Sequence, residues 1–456
     1  MNVVVAKTET GRALSDAFAV ARGRLPGTGQ VADRRRQAFE AYERLGLPHR
    51  RIEEWKYTDL RTLMREAFSL AAEPDAAALE RAGEAVRSHT IDGVRRLVLV
   101  DGVFAPNLSQ TDGLGQGLRI RTLQEVLEDA DSALQAQLFA PENSDAMVAL
   151  NSAMATDGVV IEIADGAAPK EPLHVLHIAS TATPAAMFTR SLLRLGNNAG
   201  VTLVESFVAA DGVKAYQVHD SLIVSIGDGS RLDHVRLIED GRDAFNISSA
   251  MVTLGAHAHF NFFNMTSGAS VSRYQATIVC AGEGSRVETN GVNLLNGRQH
   301  ADTTLLLDHA VPNCASREVF RAVVDDRAHS VFQGRIIVRP DAQKTDAKMM
   351  TRALLLSDEA EADNKPELEI FADDVTCGHG ATTGALDEAA SCHRLRHCFC
   401  VVSRKVQAQP SVRITGTRGG QTPGVRMNES APRQSRSGSV IGIDCRRVEP
   451  MKGELT

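Results

Sequence analysis

The sequence predicts a mainly β fold whose core is a parallel β-helix, with an α-helical region before it and an atypical tail after it. Helical patterns dominate residues 1–95, and short apolar runs separated by Gly, Asn and Asp dominate residues 96–390. Residues 391–456 follow neither pattern. A period of 3.6 indicates helix, whereas short runs between turn residues indicate strands. These boundaries define the three predicted regions.

The N-terminal region contains the run "ADRRRQAFEAYERLGLP", in which Phe39 and Tyr42 lie three residues apart and Pro48 ends the pattern after Gly46. This spacing and ending are typical of an amphipathic helix. Farther on, "RRIEEWKYTDL" holds Trp55, the only tryptophan, near a tyrosine. We expect these two rings to anchor the helical region to its neighbour, because aromatic side chains contribute large buried areas.

The core is predicted from units made of an apolar strand, a glycine-containing corner and a second apolar strand. If Leu195, Ile226, Leu254 and Cys280 are equivalent, the units recur after 31, 28 and 26 residues. This loose period without intervening helices favours a solenoid, and the coils are clearest from about residue 150. An antiparallel β-sandwich is the alternative, but it would need more Asn-Gly hairpin signals than the sequence offers.

Composition restricts the class of protein. The chain has 456 residues, 43% of them apolar, and carries a net charge of −7. No run reaches the roughly 20 apolar residues that span a bilayer. Seven cysteines without framework spacing indicate a cytoplasmic protein with reduced thiols. The last 66 residues hold 12 Lys or Arg and 4 Asp or Glu, a net of +8, so residues 1–390 carry −15. An acidic body argues against nucleic-acid binding.

The tail is rich in Arg, Gly, Ser and Pro, and we expect it to be of low order because such a composition buries little apolar surface. Its ligand-type residues are Cys392, His393, His397, Cys398 and Cys400. Their spacing matches no established zinc pattern, so we predict that the tail binds no zinc.

An enzymatic alternative is a β-helix carbohydrate-active lyase or hydrolase, which would need paired carboxylates in a groove. Adjacent acids on a strand point to opposite faces, so we interpret the acidic pairs as solvated turns. These pairs are Asp325 with Asp326, Asp358 with Glu359, and Asp373 with Asp374. Neither a phosphate-binding "GxxxxGK[ST]" loop nor a "GxSxG" elbow is present, so the chain itself is not expected to hydrolyse ATP.

The stretch "LEIFADDVTCGHGATTG" separates Cys377 from His379 by one glycine. On a strand both side chains share one face, and Gly378 and Gly380 would let another backbone approach. Thiolate and imidazole suit iron and zinc. A small buried thiol and a core histidine are the plain alternative. Two ligands leave a tetrahedral centre half complete, so a metal role requires a second chain.

Other histidines and cysteines are weaker candidates. His257 and His259 repeat the same spacing without a thiol nearby, and we interpret them as structural. Cys280 lies in an apolar run and is expected in the core.

Three segments resemble the SufB/SufD family, the scaffold subunits of the Suf system for iron–sulfur cluster assembly. They are "RRIEEWKYTDL" (50–60), "GRIIVRPDAQKTDA" (334–347) and the stretch from "LLLSDEAEADNKPELEIF" through "LDEAA" (354–390). The resemblance covers most of residues 30–390, and the sequence of these segments is closer to the SufD members than to SufB.

The resemblance implies a right-handed parallel β-helix and a non-enzymatic scaffold that pairs with SufB and the SufC ATPase. It also implies that His379, and Cys377 beside it, lie at the subunit interface where the nascent iron–sulfur cluster forms. Whether a reduced flavin binds in the whole complex stays open, as does a homodimer without SufB. Family members continue with a helical segment that docks the ATPase. Here the chain departs from it at about Ser391, which a frame shift would explain and which puts ATPase docking in doubt.

Overall fold

The structure is a computed structural model that describes residues 8–129, 131–139 and 145–385, and the backbone of two short strands in the tail. Two units are separable, residues 1–85 with 95–385 and residues 86–94 with 386–456. In the second unit, strands Ser411–Ile414 and Val425–Asn428 pair antiparallel. The predicted low order of the remaining tail lies outside the described residues.

Seven α-helices occur in the described residues, all before the regular coils begin. They are α1 (Glu9–Ala21), α2 (Gln30–Leu45), α3 (Leu60–Leu63), α4 (Ala76–Ser88), α5 (Leu123–Glu128), α6 (Ser132–Gln137) and α7 (Ala146–Met154). The last three fall after residue 95 and were not distinguished in the sequence pattern. Within the described residues, no helix has the length and apolar character needed to cross a bilayer.

The strands of the first unit begin at residue 95, where the sequence pattern changes. They are β1 (Arg95–Val100), β2 (Val103–Phe104), β3 (Leu118–Thr122), β4 (Val159–Ile163), β5 (Leu173–Ala179), β6 (Ala185–Leu195), β7 (Gly200–Ala209), β8 (Tyr216–Ile226), β9 (Arg231–Ile238), β10 (Phe245–Leu254), β11 (His259–Thr266), β12 (Val271–Cys280), β13 (Arg286–Leu295), β14 (His300–His309), β15 (Ala315–Val324), β16 (His329–Val338), β17 (Asp346–Leu355), β18 (Glu361–Ile370) and β19 (Thr376–Ala385). The tail strands are β20 and β21.

These strands form two long sheets that face each other as a β-solenoid. One sheet has the order β19-β17-β15-β13-β11-β9-β7-β5-β1-β2, and the other has the order β18-β16-β14-β12-β10-β8-β6-β4-β3. From β4 onward successive strands alternate between the sheets, so β4–β5 through β18–β19 make eight coils. Every ladder between coils is parallel. The predicted parallel β-helix is confirmed.

The register proposed from sequence is also confirmed. Leu195 pairs with Ile226, Ile226 with Leu254, and Leu254 with Cys280, so the four residues form one ladder. Side chains alternate between the interior and the outer faces, and the interior is a continuous apolar core. Each coil is therefore covered by the next one along the axis.

The N-terminal region is attached to an outer face of the solenoid through Trp55, as the sequence predicts. Its ring is 1% exposed, and the Arg273 guanidinium carbon lies 3.8 Å from the ring centroid. Arg273 also donates to Glu54 O at 2.7 Å and pairs with buried Asp302. Tyr57 is only half-buried. The ion pair itself lies within the solenoid, and the Trp55 ring and the Glu54 carbonyl contact its arginine, which anchors this segment to the sheet that contains β12 and β14.

One corner of the solenoid brings backbones of successive coils into very close contact. A Cβ added at Gly282 would lie 1.9 Å from Ala256 N and 2.1 Å from Gly255 C. Main-chain atoms of a packed corner cannot move away cheaply. By contrast, a Cβ at Gly200 would meet Arg231 O at 3.9 Å, an ordinary contact.

We therefore predict that Gly282→Ala destabilises the protein by roughly 1–3 kcal/mol or more, as overpacked cores do. Gly200→Ala should leave the stability almost unchanged. Thermal unfolding of both variants followed by circular dichroism checks this pair. Equal melting temperatures for the two variants would show that the corner is not tightly stacked.

Candidate functional site

The candidate site lies on the last coil, formed by β18 and β19. Each strand is the terminal member of its sheet, and in the described part of the chain no strand pairs with its outer edge. The side chains that point into the solenoid at this coil are therefore not covered by a further coil. This end of the apolar core, called the open end below, is therefore accessible to solvent or to another chain.

Register places both predicted ligands on the inward side of β19. Cys377 pairs with Ala347 and His379 pairs with Met349 on β17, and both β17 residues are buried in the core. Residues on one ladder point to the same face. Cys377 and His379 thus project from the interior of the solenoid toward its open end.

The two ligands differ in environment. Cys377 is a free thiol, half-buried against the apolar core, whereas His379 is exposed. Burial raises the pKa of the Cys377 thiol, and the nearby Asp346 carboxylate raises it further, while a hydrogen bond with the Ala347 backbone opposes both. The thiol is therefore protonated at neutral pH in the chain alone, and metal binding would have to displace its proton.

The flanking glycines lie on the outer side of β19 and are not equivalent. A Cβ added at Gly378 would meet nothing within 4 Å, whereas a Cβ at Gly380 would lie 2.8 Å from Met350 Cε. The expectation that both glycines leave room for another backbone therefore holds for Gly378 only. Access to the strand is open beside Cys377.

The rim of the open end has an apolar half and a polar half. Next to Cys377, Leu368 packs on the core, and Ile370 and Phe371 are 42% and 62% exposed. On the other half, Asn364 of β18 donates to Thr383 of β19 at 2.9 Å. Exposed apolar side chains beside uncovered strand edges are typical of protein interfaces.

A buried carboxyl lies beneath His379 in the same ladder. Glu318 pairs with Met349, which pairs with His379. Glu318 is 2% exposed, and neither carboxylate oxygen has a hydrogen-bond partner among the described residues. Burial raises its pKa to about 8. At neutral pH it is therefore largely protonated, so the core beneath the ligands holds little negative charge.

The other residues considered from sequence do not join this site. His257 is exposed in a corner with φ of 54°, and half-buried His259 follows it at the start of β11, where Arg231 lies 3.3 Å away. They do not share one strand face. The acidic pairs lie in corners between strands, at residues 325–326, 358–359 and 373–374.

A second group was missed from sequence, where Cys280 was interpreted as core alone. Cys280 is buried as expected, but its Sγ lies with a His309 nitrogen and Cys314 Sγ, all within 4.8 Å of one another. A hydrogen bond from Cys280 lowers the pKa of the Cys314 thiol, and the same bond raises the pKa of the Cys280 thiol. The register that brings Cys280 beside His309 is one coil step along the ladder, so the sequence could have indicated the group only with the coil period known to the residue.

Comparisons with known proteins cover nearly all of the solenoid and much of the helical region. The family described as "SUF system FeS cluster assembly, SufBD core domain" matches residues 177–391, and the "SufBD protein N-terminal region" matches residues 27–175. An iron–sulfur cluster assembly SufBD family protein of Synechocystis is 31% identical over 78% of this chain and 80% of its own length. The iron–sulfur cluster assembly protein SufD of Escherichia coli is 31% identical over 77% and 80%.

The unpartnered Glu318 gives a pH prediction. Its pKa rises from an ordinary value of 4.5 to about 8 on folding. Between these values the folded chain holds a proton that the unfolded chain releases, so the free energy of unfolding falls as the pH rises. Glu318→Gln removes this titration. We expect the variant to match the wild type near pH 4.5 and to exceed it at pH 8 by on the order of a few kcal/mol.

Chemical unfolding at a series of pH values measures this difference, with Glu288→Gln as the control because Glu288 is exposed on a neighbouring strand. Parallel pH profiles for the wild type and Glu318→Gln would mean that Glu318 is ionised in the folded chain.

Proposed function

The chain belongs to the SufBD family of iron–sulfur cluster assembly proteins, and from this premise we propose that it is a non-catalytic scaffold subunit on which a nascent cluster is built. The observation that carries the proposal is the pair Cys377 and His379, which project together from the open end of the solenoid. A cytoplasmic setting that keeps thiols reduced is part of the proposal.

The chemistry of the pair requires a partner chain. Thiolate and imidazole are good ligands for iron, but two ligands do not complete a tetrahedral iron site. His379 is exposed and Cys377 is reachable from the open end, so both are available to a cluster shared with another protein. The cluster is cargo of the complex and not a resident cofactor, and we assign no flavin to this chain.

We propose that the partner is a SufB-type subunit that covers the last coil. The free edges of β18 and β19 can accept a strand, and Gly378 leaves space for its backbone. Ile370 and Phe371 would become buried by the same contact. Pro366 within β18 removes one backbone donor, which suits an edge strand and limits uncontrolled pairing. A homodimer through this end is the alternative when the partner is absent.

Pairing with a SufC-type ATPase is a further part of the proposal, and its only support is membership of the family. The helical segment that would dock the ATPase corresponds to the tail, where this sequence departs from the family pattern. Apart from β20 and β21, the tail lies outside the described residues. ATP hydrolysis is assigned to that partner, since this chain has no phosphate-binding loop.

A carbohydrate-active enzyme is not favoured by the geometry. Lyases and hydrolases of this kind need carboxylates held together in a groove. The acidic pairs lie in corner turns, and Asp374 and Glu359 are engaged in exposed ion pairs with Lys344 and Arg327.

We predict that His379→Ala abolishes the build-up of clusters while leaving folding and subunit association intact. The side chain is exposed and packs on little, so its loss should not affect stability. Iron and acid-labile sulfide per complex, measured after co-expression with the partner subunits, give the readout. Cys377→Ser should lower both quantities as well, because it removes the thiol of the pair.

His257→Ala is the matched control, because His257 is also an exposed histidine of the solenoid but lies in a corner with positive φ. It should lower the melting temperature slightly and leave iron and sulfide unchanged, since histidine is among the residues enriched at positive φ and alanine is not. Normal iron and sulfide in the His379→Ala complex would refute the assignment of the site.

A further inference from the structure

At one corner of the solenoid, the residue type in two ladders changes at the middle coils. The first consists of the last residues of successive strands, namely Leu195, Ile226, Leu254, Cys280, His309 and Val338. The second consists of the residues just before the next strands, namely Ala199, Ser230, Ala258, Ser285, Cys314 and Thr345. Aliphatic and small hydroxyl side chains fill the corner at most coils. Packing alone therefore does not require two cysteines and a histidine there.

The three residues are brought together inside the protein. Cys280, His309 and Cys314 are 0%, 0% and 1% exposed, and one ligand atom from each lies within 4.8 Å of the others. Neighbouring coils cover the group with Leu254 on one side and Val338 on the other. No other trio of this kind occurs in the described ranges.

Hydrogen bonds orient the imidazole and leave one of its nitrogens without a partner. His309 Nε2 lies 3.0 Å from Ser316 Oγ, while Nδ1 is buried and has no hydrogen-bond partner among the described residues. An unpaired buried nitrogen is costly, and metal-binding histidines commonly hold their second nitrogen in such a hydrogen bond. Cys314 Sγ contacts Ser285 Oγ at 3.3 Å and lies near two backbone carbonyls.

We propose that Cys280, His309 and Cys314 bind one thiophilic transition-metal ion, zinc(II) or iron(II), within the solenoid. Two thiolates and one imidazole form a ligand set that both ions accept, and three protein ligands leave a fourth position for a small molecule such as water. Metal binding displaces the protons of the thiols that become ligands. The site is separate from Cys377 and His379, because in the sheet order β17 lies between β15, which follows Cys314, and β19, which carries Cys377 and His379.

The ladders supply replacements that should preserve the fold. Cys280→Val and His309→Val introduce the residue type of Val338, and Cys314→Ser introduces that of Ser230 and Ser285. The triple variant carries all three changes. A second variant replaces the four tail cysteines, Cys392, Cys398, Cys400 and Cys445, with serine, and a third is Cys377→Ser.

The experiment uses the full chain, expressed without partners in medium with zinc and iron and purified without oxygen. We expect about one metal ion per wild-type chain, retention of that ion in the tail and Cys377 variants, and its loss in the triple variant. Elemental analysis distinguishes zinc from iron, and either ion supports the proposal. Exchange for cobalt(II) should give a sulfur-to-cobalt charge-transfer band in the wild type that Cys314→Ser weakens.

Two results would overturn the proposal. One is a wild-type chain that purifies without metal and shows no cobalt–thiolate band, including a chain in which Cys280 and Cys314 form a disulfide. The other is a metal ion that remains in the triple variant or leaves with the tail cysteines. If the triple variant does not fold, the cobalt band in the wild type and in Cys314→Ser decides the question. None of these measurements depends on cluster assembly with a partner.

Discussion

Each coil of this protein is buried by its neighbours along the axis, and that constraint shapes both the fold and the site. A parallel ladder satisfies backbone groups only where another strand lies on each side, and an inward side chain is dry only where another coil covers it. The first coils are closed by β1, β2 and β3 and by helices, whereas β18 and β19 have no neighbour within the described chain. In the last coil, positions whose equivalents in the inner coils are buried in the core are therefore left uncovered. Cys377 and His379 occupy two of those positions.

The solenoid's outer face is stabilised differently from its interior. Segment 53–58 lies against the sheet that contains β12 and β14, with the Trp55 indole donating to Asp145 Oδ2 at 2.6 Å and Thr58 contacting His300 at 2.9 Å. The bond of Trp55 joins the segment to the N-terminal end of α7, whereas the contact of Thr58 joins it to β14, far along the solenoid axis. They also lie away from the inward ladders of β19. The same segment also reaches the last coil, because Glu53 pairs with Lys365 of β18.

Much of the fold could be predicted because a solenoid repeats its register in the sequence. The ladder through Leu195, Ile226 and Leu254 was recoverable from apolar runs and corners, and strand parity alone placed Cys377 and His379 on one face. Helices α5 to α7 were missed because short helices between strands give too few residues for a clear period. Family resemblance, and not spacing, gave His379 a role.

The buried chemistry was harder to foresee. Cys280, His309 and Cys314 are brought together by stacking of coils, so no local motif connects them. Glu318 appears on a strand like any alternating polar residue, and only the register shows that it points inward beneath Met349. To foresee either case from the sequence, one must know which residues of successive coils pair with each other. Loops of variable length between the strands make that pairing hard to derive.

The most direct test of the open-end account is hydrogen exchange of the backbone amides with and without a SufB-type partner. In the chain alone, amides of β18 and β19 should exchange faster than those of the inner strands, since edge strands lack a pairing partner on one side. Adding the partner should slow exchange in residues 361–370 and 376–385 and leave β1 and β2 unchanged. Protection that appears elsewhere while β18 and β19 keep their fast exchange would contradict the claim that a second chain completes the solenoid at this end.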